Sequence, residues 1–318
     1  MTGRVVIVTG ADRGIGYETA RYMAAEGGYD VVLACRDQEK GQNAIHQIKK
    51  DNPSALVTLM QLDLSSLTSV RDFVTNFTMK KRKLHVLVNN AAVKLSSTDL
   101  TAKPTRDQIE VTMATNYIGP FLLTHLLLDL LVTAAHMTGD ARIVNVTCAE
   151  HDHEKLPGVT ELDVDNFQLT KKGTFSGLQA YKNSKLCNIL FSYQLADSLS
   201  GTGVSVNCIN PGNIPSTQLE SRSSKVKRGL KLVCLHYLLR CAKFTQTKKQ
   251  AGKQVALLAS SDKYKGSTGC YYEDGVAERS SIESYDRELR QKVWNISKKI
   301  AGLGRDDGFD DISLHSTV

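Results

Sequence analysis

VVIVTGADRGIGYETA, residues 5–20, runs from a β-branched stretch into a turn holding Gly10, Gly14 and Gly16, and then into a helical pattern. A strand that ends in such a turn and leads straight into a helix lets bare backbone approach an anion at the positive end of the helix dipole. A pyrophosphate is held in this way. Thr9, Gly10, Arg13, Gly14, Ile15 and Gly16 are therefore the expected phosphate-side residues. The alternative, a glycine turn without a ligand, is disfavoured by three glycines placed in this strand–turn–helix context.

Further short apolar runs recur outward from this turn, at 30–35 (DVVLAC), 55–62 (ALVTLMQL), 84–89 (LHVLVN), 141–146 (ARIVNV) and 204–209 (VSVNCI). Longer helical patterns separate them, so the rhythm is that of a parallel sheet. Near-continuous apolar strands require helices on both faces. The expected architecture is a single doubly wound α/β domain over residues 1–302, with helices at 38–50, 107–137, 179–200 and 248–260 and a last strand near 268–272. Asp37 and Ser65 or Ser66 are the expected N-caps. Residues 150–178 form a polar insertion expected on the surface. Glu150 to Glu154 in it carry metal-ligand side chains, but an exposed loop is the reading taken, and no metal is expected.

The end of the second strand bears on which nucleotide binds. An acid about 20 residues beyond the glycines would hold a ribose 2′-hydroxyl, whereas the strand ends Ala34-Cys35-Arg36. Arg36 and Arg13 offer guanidinium groups where a 2′-phosphate would lie, which selects NADP(H). The competing reading makes Asp37 the missing acid and leaves both arginines solvated.

YKNSK at 181–185 sets Tyr181 and Lys185 one helical turn apart. A neighbouring ammonium is expected to lower the phenol's proton affinity, which suits Tyr181 to proton transfer.

Together with Asp63 in LDLS, Asn89-Asn90-Ala91-Ala92, Asn116 in TNYIGPFLLT, and Pro211-Gly212, these motifs stand in an order that resembles the short-chain dehydrogenase/reductase family over residues 3–302. LACRD and AYKNSKLCNILFSYQLA are most similar to its retinol dehydrogenase branch. The resemblance implies that Asp63 holds the adenine, Asn90 and Ala91 support the cofactor cleft with Pro211 and Gly212, and Asn116 positions a water relay. It further implies that Lys185 grips the nicotinamide ribose and that Tyr181 moves the proton to or from a retinoid-, steroid- or lipid-aldehyde-like substrate. One position departs from the pattern. The fifth strand usually ends Ser-Ser, and here Thr147-Cys148 follows, so that Cys148 stands where a serine would polarise the carbonyl. A thiol is a weak donor. Weakened catalysis, or a nucleotide-binding interaction protein, is thus the alternative to an enzyme.

Composition narrows the rest. With 318 residues, 41% hydrophobic, the chain can bury a full core. The net charge of +7 is spread rather than massed, which favours small anions or a membrane surface over nucleic acid. Seven cysteines without CxxC spacing fit a reducing compartment. No run reaches the ~18 apolar residues of a spanning helix, and the glycine motif begins at residue 9, so a cytoplasmic protein is expected. A substrate lid is expected over 213–247. Its stretch 225–244 mixes apolar and basic side chains, as in a lid that touches membranes or equally in a core helix with a basic face. Residues 303–318 are expected to be a disordered acidic tail, whose end, His315-Ser316-Thr317-Val318, resembles a PDZ-type ligand.

Overall fold

The computed structural model describes residues 3–304 apart from 27, 81, 97–98, 157, 213 and 215–245. Nearly all of the expected lid, the basic stretch 225–244 and the tail from 305 onward lie outside the described residues.

The strands are β1 (Arg4–Thr9), β2 (Tyr29–Cys35), β3 (Leu56–Gln61), β4 (Val86–Asn89), β5 (Ala141–Val146), β6 (Val204–Asn210), β7 (Cys270–Glu273) and β8 (Val276–Glu278). They form one sheet in the order β3-β2-β1-β4-β5-β6-β7-β8. All neighbours are parallel except β7 and β8, which pair antiparallel. The strand order reverses between β1 and β4, and a doubly wound sheet opens its ligand crevice at the carboxyl ends on either side of that point.

Among the described residues, the helices that cover the two faces are α1 (Gly14–Ala25), α2 (Gln38–Asp51), α3 (Leu67–Met79), α4 (Val111–Thr138), α5 (Gly177–Ser198), α6 (Lys248–Ser260) and α7 (Arg287–Ala301). Alternation along β1 assigns the layers. Ile7 faces Phe73, Phe121, Phe191 and Trp294 from α3, α4, α5 and α7, while Val6 and Val8 face Met23, Ile48 and Val255 from α1, α2 and α6. Arg142 at the start of β5 is fully buried. It bonds Asp140 and also donates to the carbonyls of Leu258 and Ser261, tying the sheet to the end of α6.

Asp37 caps α2 and Ser66 caps α3, as expected from the sequence. Three expectations need correction. The chain does contain a helix long and apolar enough to cross a membrane, α4, because the residues interrupting its apolar run are too few to lower its mean hydropathy. It serves as a core helix, with 67% of its most apolar window buried. Residues 150–178 are not a surface loop throughout. Leu162 and Phe167 enter the main core, and Leu169 and Phe175 pack with Leu95 and Ala180. Such singly spaced apolar residues leave no periodic signal, and their backbone is satisfied from afar, with Gln179 bonding both the amide and the carbonyl of Thr160. The sheet also gains β8 and is followed by α7, two elements beyond those expected from the sequence pattern.

Candidate active site

Parallel strands bring their carboxyl ends to one edge. Thr9, Arg36, Asn90, Cys148 and Pro211 each follow or end a different strand there. Thr9 is the knot. Its hydroxyl accepts from the amides of Asn90 (2.9 Å) and Ala91 (3.0 Å) and donates to the Val88 carbonyl, while the Asn90 side chain donates to the Thr9 carbonyl at 2.9 Å. The β1 turn and the loop after β4 are thus locked together on the two sides of the crevice.

The reacting end is built on α5. Tyr181 is 5% exposed and Lys185 3%. Lys185 Nζ donates to the Val146 carbonyl at 2.9 Å and lies 5.7 Å from the centre of the Tyr181 ring. The Cys148 thiol and the Tyr181 phenol influence each other's proton affinity. Thr147, its neighbour, turns the other way and donates to the Lys185 carbonyl, so it does not substitute for the missing serine. Burial pushes the Cys148 thiol up and Lys185 down from their ordinary values. Burial, and then charge on Cys148 and Glu150, also push the Tyr181 phenol well above its usual value. The expectation that the neighbouring ammonium would lower it is corrected, because desolvation of the phenolate is the largest influence on it.

Asn116 sits in a π-helical turn, Ala114–Ile118, near the start of α4. Such turns widen the helix and often mark functional positions. Its carboxamide accepts from the Val93 amide and donates to the Val93 carbonyl and to Ser184, while its own backbone carbonyl accepts from Asn188. The Asn116 side chain therefore fastens the loop after β4 to α5, at a serine that lies between Tyr181 and Lys185 in the chain.

The short chain dehydrogenase family model matches residues 4–158. Human retinol dehydrogenase 12 is 33% identical over 303 residues, covering 95% of this chain and 88% of that protein. The human WW domain-containing oxidoreductase is 34% identical over 300 residues, covering 94% and 68%. The chain belongs to the short-chain dehydrogenase/reductase family. Among solved structures, levodione reductase superposes on this family member with a TM-score of 0.66 at 20% identity, covering 86% of this chain and 97% of that one. An actinorhodin polyketide ketoreductase with NADPH superposes with a TM-score of 0.64, at the same identity and covering 86% and 95%. These two show the fold. By family, in its retinol dehydrogenase-like branch, the chain is an oxidoreductase of the carbonyl/alcohol class that works with a nicotinamide dinucleotide.

The reductase's glycine turn fits that cofactor. Five of the helices, α2, α3, α5, α6 and α7, begin with a side chain bonded to their first amides, and Glu110 does the same for α4. Arg13, ahead of α1, makes no such bond. Gly14 has φ +62° and faces open space, which leaves room for an anion at those amides. Gly16 is packed instead, since a Cβ there would lie 2.4 Å from both the Gly10 carbonyl and Asn90 Nδ2. Gly16→Ala should therefore force the turn off Asn90. The expected result is about 1–3 kcal/mol lost in chemical denaturation, as for overpacked sites, with a matching loss of cofactor affinity in calorimetry.

Of the remaining expected residues, Ile15 packs into the α1 side of the core. Asp63 spends one carboxylate oxygen on the amide and hydroxyl of Ser65. The Gly212 amide donates to Asn210 at 3.1 Å. Arg13 and Arg36 are exposed beside each other's strand ends, as Thr9 pairs with Ala34. Two further residues of the site, Lys94 and Ser184, are not singled out by sequence reasoning, and Glu150 is weighed there only as a metal-ligand side chain. Ser184 lies inside the YKNSK motif, but nothing local shows that it meets Asn116.

Proposed function

We propose that this reductase uses NADP(H) to interconvert the carbonyl and alcohol forms of a lipophilic substrate in the cytoplasm. The observation that carries the reading is the meeting, at one sheet edge, of the buried Tyr181–Lys185 pair and the half-buried Cys148 with a glycine turn that opens an uncapped helix. A bound nicotinamide dinucleotide supplies or accepts the hydride at the substrate carbon. This chain's residues do the rest. Tyr181 gives its proton to the carbonyl oxygen during reduction and takes one back during oxidation. Lys185 places positive charge beside the phenolate that forms, and Asn116 holds the loop that frames the cleft. Cys148 offers its thiol to the same oxygen.

Support for NADP(H) is the use of Asp37. It caps α2 and pairs with Lys40, and the Lys40 hydrogen bond holds its carboxyl below the ordinary value. Arg13, 3.8 Å from Asp12, and Arg36 stand exposed at the strand ends, where their guanidinium groups suit a 2′-phosphate. NADPH should bind about 30-fold more tightly than NADH, the equivalent of ~2 kcal/mol for charge-assisted contacts, and Arg36→Asp should reverse the order. Equal affinities in titration calorimetry would remove the assignment. Retinol dehydrogenases among the relatives and the apolar, basic stretch 225–244 support a lipophilic substrate and weak contact with anionic membranes. Five free cysteines among the described residues suit a reducing compartment. We keep the PDZ-type contact of the C-terminus as a minor part of the same proposal.

The second reading, a nucleotide-binding interaction protein with little turnover, is favoured by the weak donor at Cys148 and the high proton affinity of Tyr181. Cofactor binding without turnover on a panel of apolar aldehydes and ketones would select it.

A further inference from the structure

Two charged side chains that the reaction scheme leaves without a role lie beside Tyr181, one over its ring and the other paired with the first. Lys94 follows Val93 on the loop after β4, and Glu150 comes two residues after Cys148. Lys94 Nζ donates to both carboxylate oxygens of Glu150, at 2.9 and 2.7 Å, and lies 5.0 Å from the centre of the Tyr181 ring, nearer than Lys185 at 5.7 Å. The Lys94 side chain is 17% exposed and that of Glu150 36%. An ion pair this accessible contributes little to stability. Its position over the ring matters more, because a nearby positive charge favours the phenolate and a nearby negative charge opposes it.

The charged and titratable groups facing Tyr181 come from three elements: Lys94 from the loop after β4, Cys148 and Glu150 from the segment after β5, and Lys185 from α5 itself. Tyr271 on β7 lies within electrostatic reach of Cys148. Lys185 is already bonded to the Val146 carbonyl. Lys94 is the second ammonium on the ring, and Glu150 is the group that neutralises it.

We propose that Lys94 and Glu150 form an electrostatic pair that sets how readily Tyr181 gives up its proton, Lys94 favouring the phenolate and Glu150 opposing it. Both act through Tyr181 and are positioning residues. The proposal rests on Tyr181 being the proton-transfer group.

The test is the titration of Tyr181 itself, read by 19F NMR on the full chain with 3,5-difluorotyrosine at position 181, whose more acidic phenol titrates in a range a folded protein tolerates. Lys94→Met should move the midpoint up by about one pH unit and Glu150→Gln should move it down by about as much. The double variant should return close to the starting value, and Lys94→Arg should keep it. A pair that only ties two loops together would shift neither midpoint, or both in one direction, and either result overturns the proposal. Repeating the series with Cys148→Ser excludes the thiol as the source of the shifts. Activity of Tyr181→Phe is measured separately. If that variant turns over normally, the reading of Tyr181 fails. If it is inactive while the midpoints stay put, only the present inference fails.

Discussion

Tyr181→Phe lowers turnover of an apolar aldehyde by about 10² to 10⁴-fold, the range that a positioned proton donor supplies. The phenol is buried, so the change removes one hydroxyl and leaves the ring packed beneath Lys94. The glycine turn, Arg13 and Arg36 are untouched. NADPH affinity should therefore stay within a few-fold of the original, and the loss should fall on kcat more than on KM, as for an interaction made in the transition state. Stopped-flow reduction with calorimetric Kd values on the same samples checks both halves. A parallel loss of cofactor affinity would mean that Tyr181 supports the cleft rather than the chemistry.

The second large effect runs the other way. Cys148→Ser should raise kcat by roughly 10² to 10³-fold, the cost usually measured when one donor to a developing oxyanion is lost. The thiol and Tyr181 influence each other, and burial pushes the thiol's proton affinity up, so it acts as a neutral weak donor rather than a thiolate. A hydroxyl in the same place donates strongly. Tyr181→Phe in that background should abolish the gain. If Cys148→Ser is as slow as the original chain on every carbonyl tried while NADPH binds, the deficit lies beyond one residue and the interaction-protein reading gains.

The parts of this fold that repeat locally are legible in the amino-acid sequence. The six apolar runs correspond to β1 to β6 to within a residue or two at most ends, since both sheet faces are largely covered and each strand is mostly apolar. The glycine turn is legible because its three glycines are constrained by a local backbone path. What escapes depends on distant partners. Lys94 looks like any lysine after NNAAV, and Glu150 like one acid in a polar insertion; only the adjacency of β4 and β5 brings them together at 2.7 Å. The burial of Leu162 and Phe167 escapes for a similar reason, as isolated apolar residues carry no period. The Tyr181–Lys185 spacing correctly locates a pair on one helix face. Its electrostatic reading errs because sequence spacing carries no measure of desolvation, which here is the largest influence on the phenol.

The central claim is hydride exchange between NADP(H) and an apolar carbonyl compound at this site. Incubating the chain with NADPH carrying deuterium at the reactive C4 position, in the presence of a retinoid or long-chain aldehyde, and weighing the alcohol by mass spectrometry tests it directly. The account predicts alcohol with one deuterium on the carbinol carbon from the original chain, a larger yield of it from Cys148→Ser, and a yield lower by about 10² to 10⁴-fold from Tyr181→Phe. Tight NADPH binding with no deuterium in any product, from either the original chain or Cys148→Ser, would contradict it.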